Sequence, residues 1–138
     1  MPNTSASPAP ITLPATWGAL FAGLGVAAGA IGNHAMRAML AEPLLLVYET
    51  AVRYQIYHAL ALLAVAALAS RLPAGAVRTV SWLFIAGIIC FSGSLYLLAL
   101  TGSRPLGILT PVGGSCFIAG WLWLAWATWR HGRTTTSS

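Results

Sequence analysis

Charge is what this sequence has least of. Seven arginines and two glutamates supply every charged side chain among 138 residues, 7% of the chain, where soluble domains carry about 25%. A soluble domain of this length needs polar surface to cover its core, and so few charges cannot provide it. Acidic residues are scarcest, only Glu42 and Glu49, so the paired-carboxylate chemistry of glycoside hydrolysis is excluded. Cysteine is limited to Cys90 and Cys116, both inside apolar runs and at different depths, which reads as small packing residues rather than a disulfide. A glycine-rich phosphate loop, a serine nucleophile elbow, an HExxH zinc motif and a CxxCH haem attachment are all absent. No catalytic motif is left, so no enzyme and no cofactor is expected. The net charge of +5 comes from arginines spread singly, without the basic patch that nucleic acid requires.

What the sequence has is apolar length. Hydrophobic residues make up 58% of it, and the charges at Arg37, Glu42, Glu49, Arg53, Arg71, Arg78, Arg104, Arg130 and Arg133 leave charge-free stretches over 16–36, 54–70, 79–103 and 105–129. Each is close to or above the roughly 18–20 residues that cross a bilayer core. A transmembrane β-barrel would show short alternating segments instead of continuous Ala- and Leu-rich runs. The expected fold is an all-α integral membrane protein, a bundle of four transmembrane helices embedded in the lipid bilayer.

Breakers divide the chain. Residues 1–14, rich in Pro, Ser and Ala, read as a flexible tail with no charged n-region of a signal peptide. The domain over 15–130 then holds spans at about 16–36, 51–70, 79–101 and 111–129, and 131–138 forms a polar tail. In the first span, Gly18, Gly25, Gly29 and Gly32 lie near one stripe, the pattern that lets a neighbouring helix approach closely. Glu42-Pro43 opens a helix that meets no further breaker before Ser70, about 42 Å of chain, so its first turns tilt, project or lie in the interface. Arg71 to Arg78 reads as a loop turned by Pro73 and Gly75, and a second loop runs from Ser103 to Leu109. Gly102 ends the third helix, and Thr110-Pro111 begins the fourth with threonine as cap. Ala86, Cys90 and Ser94 make a small-residue stripe on the third helix, while Trp126 and Trp129 form an interfacial belt on the fourth.

Four arginines, Arg71, Arg78, Arg130 and Arg133, fall on the side of the termini, against Arg37, Arg53 and Arg104 opposite. The positive-inside rule therefore places both termini in the cytoplasm.

One concentration of polar groups enters the membrane, ETAVRYQIYH over 49–58. Glu49, Arg53 and Tyr57 form one i,i+4 stripe, with Glu49 and Arg53 in favourable order for an ion pair; Thr50, Tyr54 and His58 form the next. His58 lies about 10 Å deep if the span begins near residue 51. Ionisable groups at such depth raise a functional-site hypothesis. Candidate partners are His34 from the first span, Ser92, Ser94 and Tyr96 from the third and Thr110 from the fourth, all in the non-cytoplasmic half and able to share one polar pocket. Such a pocket would bind or conduct a small molecule or proton. Haem held between His34 and His58 is a remoter alternative. Against these stands a structural reading, in which Arg53 and the tyrosines anchor the interface and His58 is a neutral, hydrogen-bonded core residue.

The stretches GAIGNHAM (29–36), ETAVRYQIYHALALL (49–63), FSGSLYLLALTG (91–102) and LTPVGGSCFIAGW (109–121) together resemble one family. It is the small bacterial membrane-protein family called domain of unknown function four hundred and twenty-three, related to small animal transmembrane proteins. Ile31 and Asn33 depart from its commoner Gly-Ala-Phe-Gly-Ala-His form. The resemblance implies four helices in a bacterial inner membrane and supplies no catalytic residue. With the small-residue stripes, it makes a non-enzymatic scaffold or accessory protein, joined to a membrane-protein partner or to its own copies, the leading expectation.

Overall fold

The computed structural model describes the backbone of residues 11–134 and side chains through His131. Four helices long and apolar enough to cross a membrane follow one another: α1 (Thr12–Met39), α2 (Glu42–Arg71), α3 (Ala74–Thr101) and α4 (Arg104–His131). No strand occurs among the described residues. At 1.5 Å per residue, helices of 28 to 30 residues run about 42–45 Å, beyond the roughly 30 Å hydrocarbon core.

Proline and glycine set the helix ends. Leu40 and Ala41 turn the chain in extended conformations, and Pro43 occupies the first turn of α2, where its missing N–H costs nothing. Pro73, at φ −59° and ψ 140°, caps the start of α3, and its carbonyl accepts the Val77 N–H at 3.1 Å. The expected loop over Arg71 to Arg78 is therefore shorter, because Gly75 takes its place inside the first helical turn instead of making a bend. Gly102, at φ 69°, closes α3 in the left-handed conformation, its N–H bonded to the Leu98 carbonyl at 2.9 Å. The expected loop from Ser103 is a 3₁₀ turn, Arg104–Ile108, leading straight into the α-helix Leu109–Thr134. Thr110 thus lies inside a helix and caps nothing. At the chain ends, helix begins at Thr12, ahead of the boundary expected at residue 15, and continues to Thr134. The rest of the expected tails, 1–10 and 135–138, falls outside the described residues.

The bundle is not a square. Half of the apolar stretch of α2 and 44% of that of α3 are buried, against 22% each for α1 and α4. The central pair, α2 and α3, is flanked by α1 against α2 and by α4 against α3. The expected glycine stripe is the α1–α2 seam. A Cβ on Gly25 would stand 2.7 Å from Ile56 Cγ1, one on Gly32 would stand 2.9 Å from the Tyr48 ring, and Gly18 faces the Ala59 carbonyl. Gly113 does the same for α4, where a Cβ would run into the Phe91 backbone nitrogen. The backbone of α3 is widened there by a π turn, Ile88–Ser92. A second π turn, Gly32–Met36, interrupts α1. The apolar core, including Phe21, Leu62, Val65, Val77, Val80, Phe84 and Phe117, fills the half of the bundle toward the α2–α3 turn. The polar side chains gather in the other half.

Candidate functional site

The face of α2 that enters the bundle runs through Tyr48, Ala51, Gln55, His58, Ala59 and Leu62, one stripe in which residues three and four apart stack on each other. Small alanines let α1 and α3 come close, and the polar side chains between them find partners on other helices. Tyr48 donates its hydroxyl proton to the Ala28 carbonyl of α1 at 2.9 Å and meets the Tyr96 ring edge-on at 5.2 Å. Tyr96 donates to Gln55 Oε1 at 2.9 Å, and Gln55 Nε2 donates to the Phe21 carbonyl at 2.9 Å. One amide, 6% exposed, therefore ties α1, α2 and α3 together.

His58 lies one turn further in. Its Nδ1 is 2.8 Å from the Tyr54 carbonyl, and the Trp121 indole N–H reaches its Nε2 at 3.2 Å. An indole can only donate, so Nε2 accepts and the proton of the neutral ring sits on Nδ1, donated to Tyr54. The ring lies flat on Phe117, centroids 3.4 Å apart and 9° between planes, with Phe84 edge-on at 5.5 Å. Both nitrogens are engaged, so a metal or haem iron would have to displace the Tyr54 carbonyl or the Trp121 indole. His34 stands exposed in the π turn of α1, whereas every ring around His58 comes from α2, α3 or α4.

Ser94 donates to the Phe91 carbonyl at 2.9 Å and so accepts from Thr110, whose hydroxyl lies 2.9 Å away. Thr110 thereby bridges α3 and α4, the role it takes in place of a cap. Ser92 Oγ is buried without a hydrogen-bond partner among the described residues.

The charged residues lie elsewhere, in an open cleft of about 240 Å³ between α1 and α2. Gly29, Gly32, Asn33, Tyr48, Glu49 and Arg53 line it. The expected Glu49–Arg53 pair does not form. Glu49 instead faces Arg37 at 3.6 Å, because the two-residue link after α1 returns Arg37 beside the outer turns of α2. Arg53 lines the cleft, is exposed, and makes no ion pair or hydrogen bond among the described residues. Arg53 stands nearer the middle of its helix than any other charge of the described chain.

The expected shared pocket is thus divided. Glu49 and Arg53 line the cleft, Tyr96 joins the Gln55 network, His58 sits in its aromatic box, and Ser94 and Thr110 form a bridge. Tyr57, 55% exposed, points out of the bundle, while Tyr54, 38% exposed, covers Phe91 at 4.6 Å. Sequence reasoning missed Tyr48, Gln55 and Asn33. The signal for the first two was their place in the row with Ala51, Ala59 and Leu62, which marks the buried face through its small residues rather than through polarity.

Residues 28–114 match the family described as protein of unknown function (DUF423). The chain is 44% identical over 115 residues to the UPF0382 membrane protein YwdK of Bacillus subtilis, covering 83% of this chain and 94% of the relative. It is 44% identical over 113 residues to a UPF0382 membrane protein of Staphylococcus aureus, covering 82% and 92%. A Staphylococcus saprophyticus relative of the same name is 45% identical, covering 82% and 93%. No solved structure matches.

Proposed function

The chain belongs to the DUF423 family, and from that we propose that it is a non-enzymatic membrane protein that binds a small ligand in the cleft between α1 and α2. The observation that carries this reading is Arg53, a charge without an ion pair among the described residues that lines a 240 Å³ cleft on a helix long and apolar enough to cross a membrane. Charges at this depth face interiors or polar cavities and mark ligand or ion paths. The other polar groups support a non-catalytic role. His58 has both ring nitrogens engaged, and Glu49 faces Arg37. The glycine stripe that argued for a partner helix is used within the fold, since Gly18, Gly25 and Gly32 meet α2. This favours the binding reading over the scaffold reading.

In the same reading the protein sits in the bacterial inner membrane with both termini cytoplasmic. An even number of spans puts the termini on one face, and Arg71, Arg78, Arg130 and Arg133 lie at that end against Arg37, Arg53 and Arg104 at the other. The cleft then opens toward the outer leaflet. Native mass spectrometry of the protein in mild detergent tests the binding reading. Wild type is expected to retain a non-protein mass that Arg53→Ala loses while keeping its helical circular dichroism. A bare wild-type chain, or a ligand equally retained by Arg53→Ala, overturns it.

A further inference from the structure

We propose that the ligand of this cleft is a phosphoryl anion, held between Arg53 and Arg37 in exchange for the Glu49 carboxylate. This rests on the reading of the cleft as a binding site and assigns the chemistry it recognises. Three observations lead to it.

The first is the arrangement of charge. Glu49 lines two adjoining open clefts, one shared with Arg53 and the other with Arg37. One carboxylate thus stands between two guanidinium groups from different helices and satisfies one of them, at 3.6 Å, a loose contact for a charge-assisted bond. Glu42 lines the second cleft as well, so the four charges balance in number, yet Arg53 is left without an ion pair among the described residues. An anion beside Arg53 would complete the site, and planar guanidinium forks match a tetrahedral phosphoryl group in two-point contacts.

The second is size. Pockets for drug-sized ligands run about 300–1,000 Å³. A cleft of 240 Å³ has room for a headgroup or a single phosphate, and its open side lets the rest of a longer molecule lie beyond it. Its walls offer the Asn33 amide as a further donor and Val52 and Gly29 as apolar contact, so it is polar at one side only.

The third is depth. Arg53 extends from a backbone position below the hydrocarbon boundary, and a long side chain there reaches toward the level of lipid phosphates. The neighbouring α1 surface is apolar, with Val26 67% exposed and Ile31 50% exposed, so acyl chains can lie beside an occupant of the cleft. The phosphoryl group could belong to an anionic phospholipid or to free phosphate. The chemistry at Arg53 is shared, and experiment separates the two.

The full chain is purified in neutral detergent and its thermal unfolding midpoint followed while three probes are added separately: phosphatidylglycerol, phosphatidylcholine and inorganic phosphate. A rise with phosphatidylglycerol that phosphatidylcholine does not reproduce identifies a lipid headgroup. A saturable rise with inorganic phosphate identifies the free anion. Arg53→Ala is expected to weaken the effective probe about tenfold, as for loss of a charge-assisted contact. Glu49→Gln is expected to strengthen it several-fold, because the competing carboxylate is gone. That sign separates an anion site from a structural ion pair, whose loss would only lower the midpoint. Arg130→Ala, remote from the cleft, controls for general attraction to anions and is expected to bind as wild type does.

The proposal is overturned if no probe shifts the wild type, if Arg53→Ala responds as the wild type does, or if Glu49→Gln weakens the response. Should Arg53→Ala not fold, the direction of the Glu49→Gln effect decides alone. A co-purifying mass that depends on Arg53 but exchanges with none of the three probes would leave the cleft as a binding site and remove the phosphoryl assignment. A mass that does not depend on Arg53 would remove both.

Discussion

Removing the Gln55 amide should cost far more than its size suggests, and part of the cost should vanish when Tyr96 loses its hydroxyl as well. Gln55 is 6% exposed and accepts from Tyr96 at 2.9 Å. Gln55→Leu keeps the volume but leaves the Tyr96 hydroxyl without its acceptor. The Phe21 carbonyl suffers less, because it retains its own helical N–H partner. Tyr96→Phe keeps the ring that meets Tyr48 at 5.2 Å and leaves Gln55 Oε1 without its donor. Each single change strands one buried polar atom, worth about 1–3 kcal/mol. The double variant strands neither, so its cost should fall below the sum by about 0.6–1.7 kcal/mol, the range found between membrane helices. The assay is reversible unfolding in mixed micelles, titrating a denaturing detergent into a mild one and building the four-cornered cycle. Costs that add within about 0.3 kcal/mol would show that the two side chains do not depend on each other. The three-helix tie described above would then be refuted.

His58→Ala should lower stability by about 2–4 kcal/mol, since it empties a stacked aromatic site against Phe117. It should leave the retained ligand mass unchanged; loss of the ligand in a folded variant would place His58 in the binding site. Gly113→Ala should cost about 3 kcal/mol or more, because its Cβ meets backbone atoms of Phe91 that cannot turn aside. Its neighbour Gly114→Ala, with 3.8 Å to the Phe91 ring, should stay within about 0.5 kcal/mol, and equal melting of the two would contradict the α3–α4 contact. Gly102→Ala should cost about 1–2 kcal/mol by forcing an L-residue to φ 69°, measured by the same unfolding titration.

How far the site could be read in advance depended on the kind of signal involved. Pro43, Pro73 and Gly102 mark helix ends through their own backbone restrictions, so their roles needed no knowledge of neighbours. Gly75 misled because a glycine near a helix start is compatible with both a turn and a first helical residue, and only Pro73 ahead of it decides. The stripe from Glu49 to Arg53 was sound as helix geometry. Its ion pair was not, because an exposed i,i+4 pair gains only a few tenths of a kcal/mol. An arginine brought back by the chain link can outbid that. Gln55 was hidden for a different reason. Because α2 exposes Leu46 and Leu60 while it buries Gln55 and His58, hydrophobic periodicity does not separate its inside from its outside.

The sequence by itself determined that this is a membrane protein of four helices, where those helices turn, and that the glycine stripe of the first helix permits close packing. Those properties follow from the cost of burying charge and unpaired backbone in lipid, and from the conformational limits of single residues. Only the tertiary structure decided which polar groups meet. It joined Tyr48, Tyr96, Gln55, His58 and Trp121 in hydrogen bonds and left Arg53 without an ion pair among the described residues. Hydrogen bonds reach about 3 Å and depend on direction, so partners distant in sequence are chosen by the packing of helices, which local pattern does not specify.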